Sequence, residues 1–212
     1  DDRKVLRGAY GFRWRGAFGF DQLPEILAEL RKRPDSRRAV LTMWGAYHDL
    51  HDLHKTERLD VPCNTQVYFD LRRGELNMTV CNRSNDAYWG CFGANAVHMS
   101  FLQEYIACHL AAPIGVYRQF SNNLHIYPAI LPKQNWQALD KDLEYSDRYR
   151  QRDEPWRRIP LFQDPLNFDG ALDEFMSEVT LLAEVGLEGN GTADPEFKHF
   201  EQPFIDTVAV PM

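Results

Sequence analysis

The run VPCNTQVYFDLRRGELNMTVCNRSND, residues 61–86, decides how this chain folds. Thr65 to Leu71 and Leu76 to Asn82 alternate apolar and polar side chains around the Arg72-Arg73-Gly74-Glu75 turn, which predicts a β-hairpin. Chemistry flanks the hairpin on both sides. Val61-Pro62-Cys63-Asn64-Thr65 places a thiol at the mouth of a strand, behind a proline. Arg83-Ser84-Asn85-Asp86 places a cation and a hydroxyl on a neighbouring strand. A soft nucleophile beside an anion clamp suits an enzyme that attacks a phosphorylated substrate covalently.

Upstream, Asp21 reads as an N-cap with Pro24 in the first turn of a helix. Leu23, Ile26, Leu27 and Leu30 recur at helical spacing, and Pro34-Asp35 ends it. Arg38 to Trp44 is expected as a strand and Tyr47 to Asp60 as a solvated polar loop. Downstream, a helix from Asn95 sets Val97, Phe101, Tyr105 and Cys108 on one face and stops before Pro113. Val116 to Ser121 and Leu124 to Tyr127 read as strands, and Trp136 to Tyr145 and Leu172 to Val185 as helices. Residues 146–170 read as a surface excursion and Gly186 to Thr192 as a flexible link. Together these predict an α+β fold, a mixed sheet with flanking helices, in a single domain over residues 1–212.

The composition narrows the function. A hydrophobic content of 44% with 13% aromatic residues argues against disorder. A net charge of −7 disfavours a protein that grips nucleic acid by general charge attraction, so no nucleic-acid partner is expected. No apolar run is long enough to span a membrane, and the best stretch, Asn95 to Ala112, is interrupted by His98, Gln103, Glu104 and His109. The four cysteines form no Cys-x-x-Cys pair, so the expected home is the reducing cytoplasm.

Each candidate has a plain structural reading beside the functional one. Cys81, Cys91 and Cys108 fit small buried apolar side chains, whereas Cys63 reads either that way or as a nucleophile. His48, His51 and His54 would converge on a metal only from a continuous helix. Their charged neighbours Asp49, Asp52, Lys55 and Glu57 favour a solvated loop, so no metal is expected. Arg37-Arg38 reads as a solvated charge pair or an anion contact.

As an ordered set, the motifs resemble the thymidylate synthase superfamily. They are Tyr10-Gly11-x-x-Trp14-Arg15, Pro34-Asp35-Ser36-Arg37-Arg38, Pro62-Cys63, Arg83-Ser84-x-Asp86 and His125-x-Tyr127. The resemblance implies a homodimer packed sheet to sheet and 5,10-methylenetetrahydrofolate as co-substrate. It implies that Cys63 adds to C6 of a pyrimidine nucleoside monophosphate with Tyr10 nearby. Arg83 and Ser84 would hold the 5′-phosphate, with Arg37 and Arg38 reaching over from the partner subunit. His125 and Tyr127 would bind the sugar hydroxyl, Asp86 would sit near the folate, and Asn95 would read the base, or else the longer Gly90 to Asn95 stretch sets Ala94 there. The family's usual N-terminal segment is expected to be missing.

The departures from the family pattern point within it. Asn64 stands where histidine usually follows the nucleophile, and Asp60 where leucine precedes it. Gly90 to Asn95 is one residue longer than the family stretch, and Asn122-Asn123 replaces Gly-Asp. Arg83-Ser84-Asn85-Asp86 and the short loop between Arg15 and Asp21 look more like the hydroxymethylase branch, which adds water to the intermediate. A polar Asp60 near the reacting carbon would admit that water. The expectation is therefore hydroxymethyl transfer to dCMP, CMP or dUMP. The alternatives are plain methylation of dUMP and a non-catalytic nucleotide-binding relative.

Overall fold

In a computed structural model, residues 7–51, 53–55, 60–127, 162 and 164–185 are described. The chain falls into two compact units, Asp1–Pro155 and Trp156–Met212. In the first, strands β1 (Val40–Thr42), β2 (Asn64–Arg72), β3 (Glu75–Asn82) and β5 (Ile114–Ser121) form a sheet in the order β1-β2-β3-β5. The first two pairings are antiparallel and the last is parallel, so the sheet is mixed. A second, two-stranded parallel sheet pairs β4 (Asn85–Asp86) with β6 (Leu124–His125).

The hairpin forms as its alternation predicts. Its turn places Arg73 at φ 57° and Gly74 at φ 81°, the doubly left-handed geometry that matches the twist of a tight hairpin. Register then divides the sheet into two faces. Leu41, Val67, Val80 and Gln119 lie in one cross-strand row, and Phe69, Met78 and Tyr117 in the next, on the inner face. The outer face carries the rows Val40–Tyr68–Thr79–Arg118 and Thr42–Gln66–Cys81–Phe120.

Helices cover part of the chain's apolar surface. Helix α2 (Gln22–Lys32) starts where expected, with Asp21 Oδ1 accepting from the Leu23 N–H at 2.9 Å. Its buried Leu23, Ile26, Leu27 and Leu30 each contribute about 1.5–3 kcal/mol of apolar burial. Helix α2 lies against β1, and α3 (Ala94–His109) packs on β3 and β5.

Four local expectations need correction. The strand predicted over Arg38 to Trp44 is ordered as sheet only at Val40–Thr42. The region read as solvated loop holds a π-helical turn, Ala46–Leu50, and a 3₁₀ turn, Leu53–Lys55, and buries Asp49. Helix α3 buries Met99, Leu102, Gln103, Ile106 and Ala107 as well as Tyr105, leaving Val97 exposed. Apolar residues run round this helix, so periodicity alone does not choose the buried side. In the second unit α4 runs Pro165–Val185, several residues earlier than expected, with Asp164 Oδ1 accepting from the Leu166 N–H at the start. The predicted helix at Trp136 to Tyr145 and the link at Gly186 to Thr192 lie outside the described residues. Among the described residues no helix is long and apolar enough to cross a membrane.

Candidate active site

The site is built where β2 begins and β3 and β5 end. Register aligns Asn64 with Asn82 and Asn82 with Ser121, so the residues flanking these positions share one end of the sheet. A bulge between Asn64 and Gln66 interrupts the β2–β3 ladder just after Cys63. Extra residues of this kind re-aim a strand end. Here the bulged Thr65 is tied on both sides: its carbonyl accepts from the Met43 and Trp44 N–H groups, and its hydroxyl donates to Cys81 O at 3.1 Å. Buried Asn64, next to Cys63 in the chain, bonds side chain to side chain with buried Asn82.

Arg83 wraps the nucleophile segment. Its backbone N–H donates to Cys63 O at 2.9 Å, its Nε to Pro62 O and its Nη2 to Val61 O, both at 3.0 Å. The guanidinium lies over the Trp44 ring, 5.3 Å from the centroid. A cation is thus fixed beside a free thiol while remaining open to solvent. Ser84 makes no side-chain hydrogen bond among the described residues, which leaves its hydroxyl open to a ligand.

Tyr10 and Asn95 complete the group. Helix α1 (Tyr10–Arg15) presents the Tyr10 hydroxyl, which donates to Asn95 Oδ1 at 2.9 Å in the first turn of α3. Burial pushes this phenol well above its ordinary ionisation range, and the nearby Cys63 charge adds to the rise. Arg83 and the bond to Asn95 pull in the other direction without prevailing. Tyr10 is therefore a neutral donor at working pH. A cleft of about 450 Å³ opens beside it, with Trp14, Asp60, Asn95 and His98 among its walls. Asp60 is exposed, and its Oδ2 accepts from the Gly8 N–H at 2.9 Å.

The β4–β6 ladder sets Asp86 opposite His125. Asp86 Oδ1 caps the next turn, accepting from the Trp89 N–H at 2.6 Å, while its buried Oδ2 has no donor among the described residues. His125 Nδ1 lies 3.0 Å from Asn123 Oδ1, and its ring meets Tyr127 edge to face at 4.9 Å. Cys63, Tyr10, Arg83 and Asn95 are thus gathered at one place, and Asp86 and His125 at another joined to it through β4. Arg37 and Arg38 are not brought to this group. Arg38 bonds Glu29 at 3.1 Å, and exposed Arg37 has no partner among the described residues.

The histidine ladder does not converge: His48 packs against Phe18 and Tyr47, and His51 stacks on Tyr47. Among the described residues no three metal-ligating side chains cluster.

Two features escaped sequence reasoning. Arg13 and Asp49, 3% and 4% exposed, form a paired salt bridge with both N···O distances 2.7 Å. This pair anchors α1, and with it Tyr10. Nothing local signals it, because its partners lie in an aromatic-basic helix and a charged loop far apart in the chain. The other is Asn85, which binds Gln119 and Ser121 on β5. It stood in the motif as an unassigned position.

The fold and these side chains define a class: an α+β protein that holds a thiol, a guanidinium, a phenol and an amide at the open end of a mixed sheet. Residues 1–160 match the family model described as thymidylate synthase, and the chain belongs to that family. It is 41% identical over 223 residues to the deoxyuridylate hydroxymethyltransferase of Pseudomonas phage M6, covering 100% of this chain and 56% of that one. The deoxyuridylate hydroxymethyltransferase of Bacillus phage SP01 is 39% identical over 107 residues, 50% of this chain and 27% of that one. A putative thymidylate synthase of Methanothermobacter marburgensis is 35% identical over 127 residues, covering 60% of this chain and 54% of its own. The chain thus spans about half the length, or less, of these relatives. The structure of thermostable thymidylate synthase A from Bacillus subtilis shares the fold, with a TM-score of 0.51 and 24% identity over 65% of this chain and 49% of that one.

Proposed function

We propose that the chain carries the nucleotide site of a folate-dependent C5 transferase, acting on a pyrimidine nucleoside 5′-monophosphate and transferring a hydroxymethyl group. The gathering of Cys63 with Tyr10, Arg83 and Asn95 carries this reading. The whole-chain similarity to a deoxyuridylate hydroxymethyltransferase favours the hydroxymethyl branch and dUMP.

In this reading the Cys63 thiolate bonds to C6 of the base, and the C5–C6 π electrons make C5 nucleophilic. Arg83 and Ser84 hold the phosphate, and Arg83 must exchange its bonds to Val61 O and Pro62 O for the dianion. Asn95 reads the base edge, while His125 and Tyr127 take the sugar hydroxyl. Methylenetetrahydrofolate supplies the one-carbon unit, and Asp86 fits it: the undonated Oδ2 is an acceptor for ring N–H groups. Asp60 stands on the cleft wall where water must enter.

Pairing of two copies through the outer sheet face is part of the proposal. Tyr68, Val116 and Phe120 are 38%, 49% and 66% exposed there, apolar side chains that a partner copy would cover. Arg37, which has no partner among the described residues, is then available to the partner's phosphate site. Phe120→Asp should convert a dimer to a monomer in sedimentation velocity; an unchanged dimer rejects this face. Free thiols at all four cysteines support a reducing, cytoplasmic location.

The test is incubation with dUMP, dCMP or CMP plus methylenetetrahydrofolate, followed by product mass. A gain of CH2O establishes hydroxymethylation. A gain of CH2 with dihydrofolate makes the protein a methylase, a reading favoured by the relatives named thymidylate synthase. No product from any nucleotide, with wild type and Cys63→Ala behaving alike, refutes the enzymatic reading.

A further inference from the structure

Asn85, 1% exposed, begins β4 inside the motif that follows the hairpin. Its Nδ2 donates to Gln119 Oε1 at 3.0 Å and to Ser121 Oγ at 2.9 Å, and its backbone N–H to Asn123 O at 2.8 Å. Gln119 is itself held, because its Nε2 donates to Cys91 O at 2.8 Å. With both amide protons committed, Asn85 has a single orientation. Its Oδ1 is buried against Gly90 and has no donor among the described residues. A Cβ on Gly90 would lie 2.2 Å from that oxygen and 3.0 Å from Asn95 Nδ2. Both amides therefore approach the space over the bare Cα of Gly90, one from each side chain, while the far end of Asn95 accepts from Tyr10.

We propose that Asn85 holds Asn95 in one amide orientation and so makes the site discriminate between the uracil and cytosine edges. As observed, the Asn95 amino group faces the side occupied by Asn85 Oδ1. A flip would turn the Asn95 carbonyl oxygen toward the buried, undonated Asn85 Oδ1, an approach that weak local screening disfavours. The consequence lies in the base. Uracil offers an acceptor at O4 and a donor at N3, and cytosine the reverse. An amide that turns freely complements both, whereas one held still complements only one. Asn85 acts through Asn95 and is a positioning residue. The inference rests on the base-reading role proposed for Asn95.

The experiment measures kcat/KM and calorimetric Kd for dUMP and dCMP in wild type, Asn85→Leu, Asn85→Ser and Asn95→Asp. In Asn85→Leu the ratio between preferred and rejected nucleotide should fall roughly tenfold. A purely structural loss lowers both nucleotides alike and leaves the ratio in place. Asn85→Ser keeps a hydroxyl for Ser121 or Gln119 but withdraws the oxygen from Gly90. It should show the same fall, and it serves if the leucine variant does not fold. An unchanged ratio in folded Asn85 variants, with Asn95→Asp shifting it, overturns the role of Asn85 and spares that of Asn95. A ratio unmoved by every variant overturns both.

Discussion

Replacing Asp49 by alanine should destabilise the protein more than any other single change at a charged residue described above. Asp49 accepts from both terminal nitrogens of Arg13 at 2.7 Å and from the Gly45 N–H at 2.8 Å. Arg13 also reaches Met43 O at 3.3 Å and Arg7 O, and its own carbonyl accepts from Gln22 Nε2. Removing the carboxylate leaves a guanidinium that is 3% exposed with two donors unpaired. Loss of one partner from a buried pair costs roughly 3–5 kcal/mol. At about 2–4 °C per kcal/mol for a protein of this size, Tm should fall by about 6–20 °C. Thermal unfolding by circular dichroism reads this directly. The double variant Arg13→Met with Asp49→Leu should unfold at a higher temperature than Asp49→Ala, because no charge is stranded. A fall of less than about 2 °C in Asp49→Ala would show that the pair is solvated, and would refute the claim that it anchors α1.

Tyr10→Phe removes the bond to Asn95, worth about 0.5–1.5 kcal/mol, so kcat/KM should drop roughly two- to tenfold without a change in fold. Because burial raises the Tyr10 phenol above its ordinary range, the wild-type rate profile should show no loss from its ionisation up to about pH 10. Acid should act elsewhere. Hydrogen bonds from Arg33, and then Ser36, hold the Glu29 carboxyl down to about 2. A depressed folded-state value adds stability above the unfolded value of about 4.3, and that stability is lost as pH falls from there through about 2. Glu29→Gln should flatten this part of the Tm–pH curve, and an unchanged curve would remove the carboxylate from the account. Gly74→Ala forces a side chain onto a residue at φ 81°, at about 1–2 kcal/mol, and should lower Tm by about 2–8 °C.

Much of the fold is written locally. The cap at Asp21, the leucine spacing of α2 and the Arg73-Gly74 turn each act within a few residues, and each appears in the structure where short-range rules place it. Strand β5 is different. Its apolar residues Val116 and Phe120 face outward beside Arg118, while Tyr117, Gln119 and Ser121 face inward, so apolar and polar side chains do not sort to the faces as in an ordinary half-buried strand. Alternation identifies the strand, but which face is covered depends on α3 and on the site. Such departures concentrate where function outweighs local consistency.

The sequence by itself determined the hairpin, the leading helix and the order of the motifs, because turn chemistry, capping and periodicity are short-range and survive without knowledge of the rest of the chain. It also carried the thiol and the cation to the two ends of one hairpin. Only the tertiary structure decided that Asp49 is buried against Arg13, that α3 turns Met99 and Ile106 inward, and that Asn85 and Asn95 both approach Gly90. Each of these is a choice between faces or partners that local pattern leaves equal. They are settled by which groups the folded chain removes from water, where an unpaired charge or polar atom becomes costly.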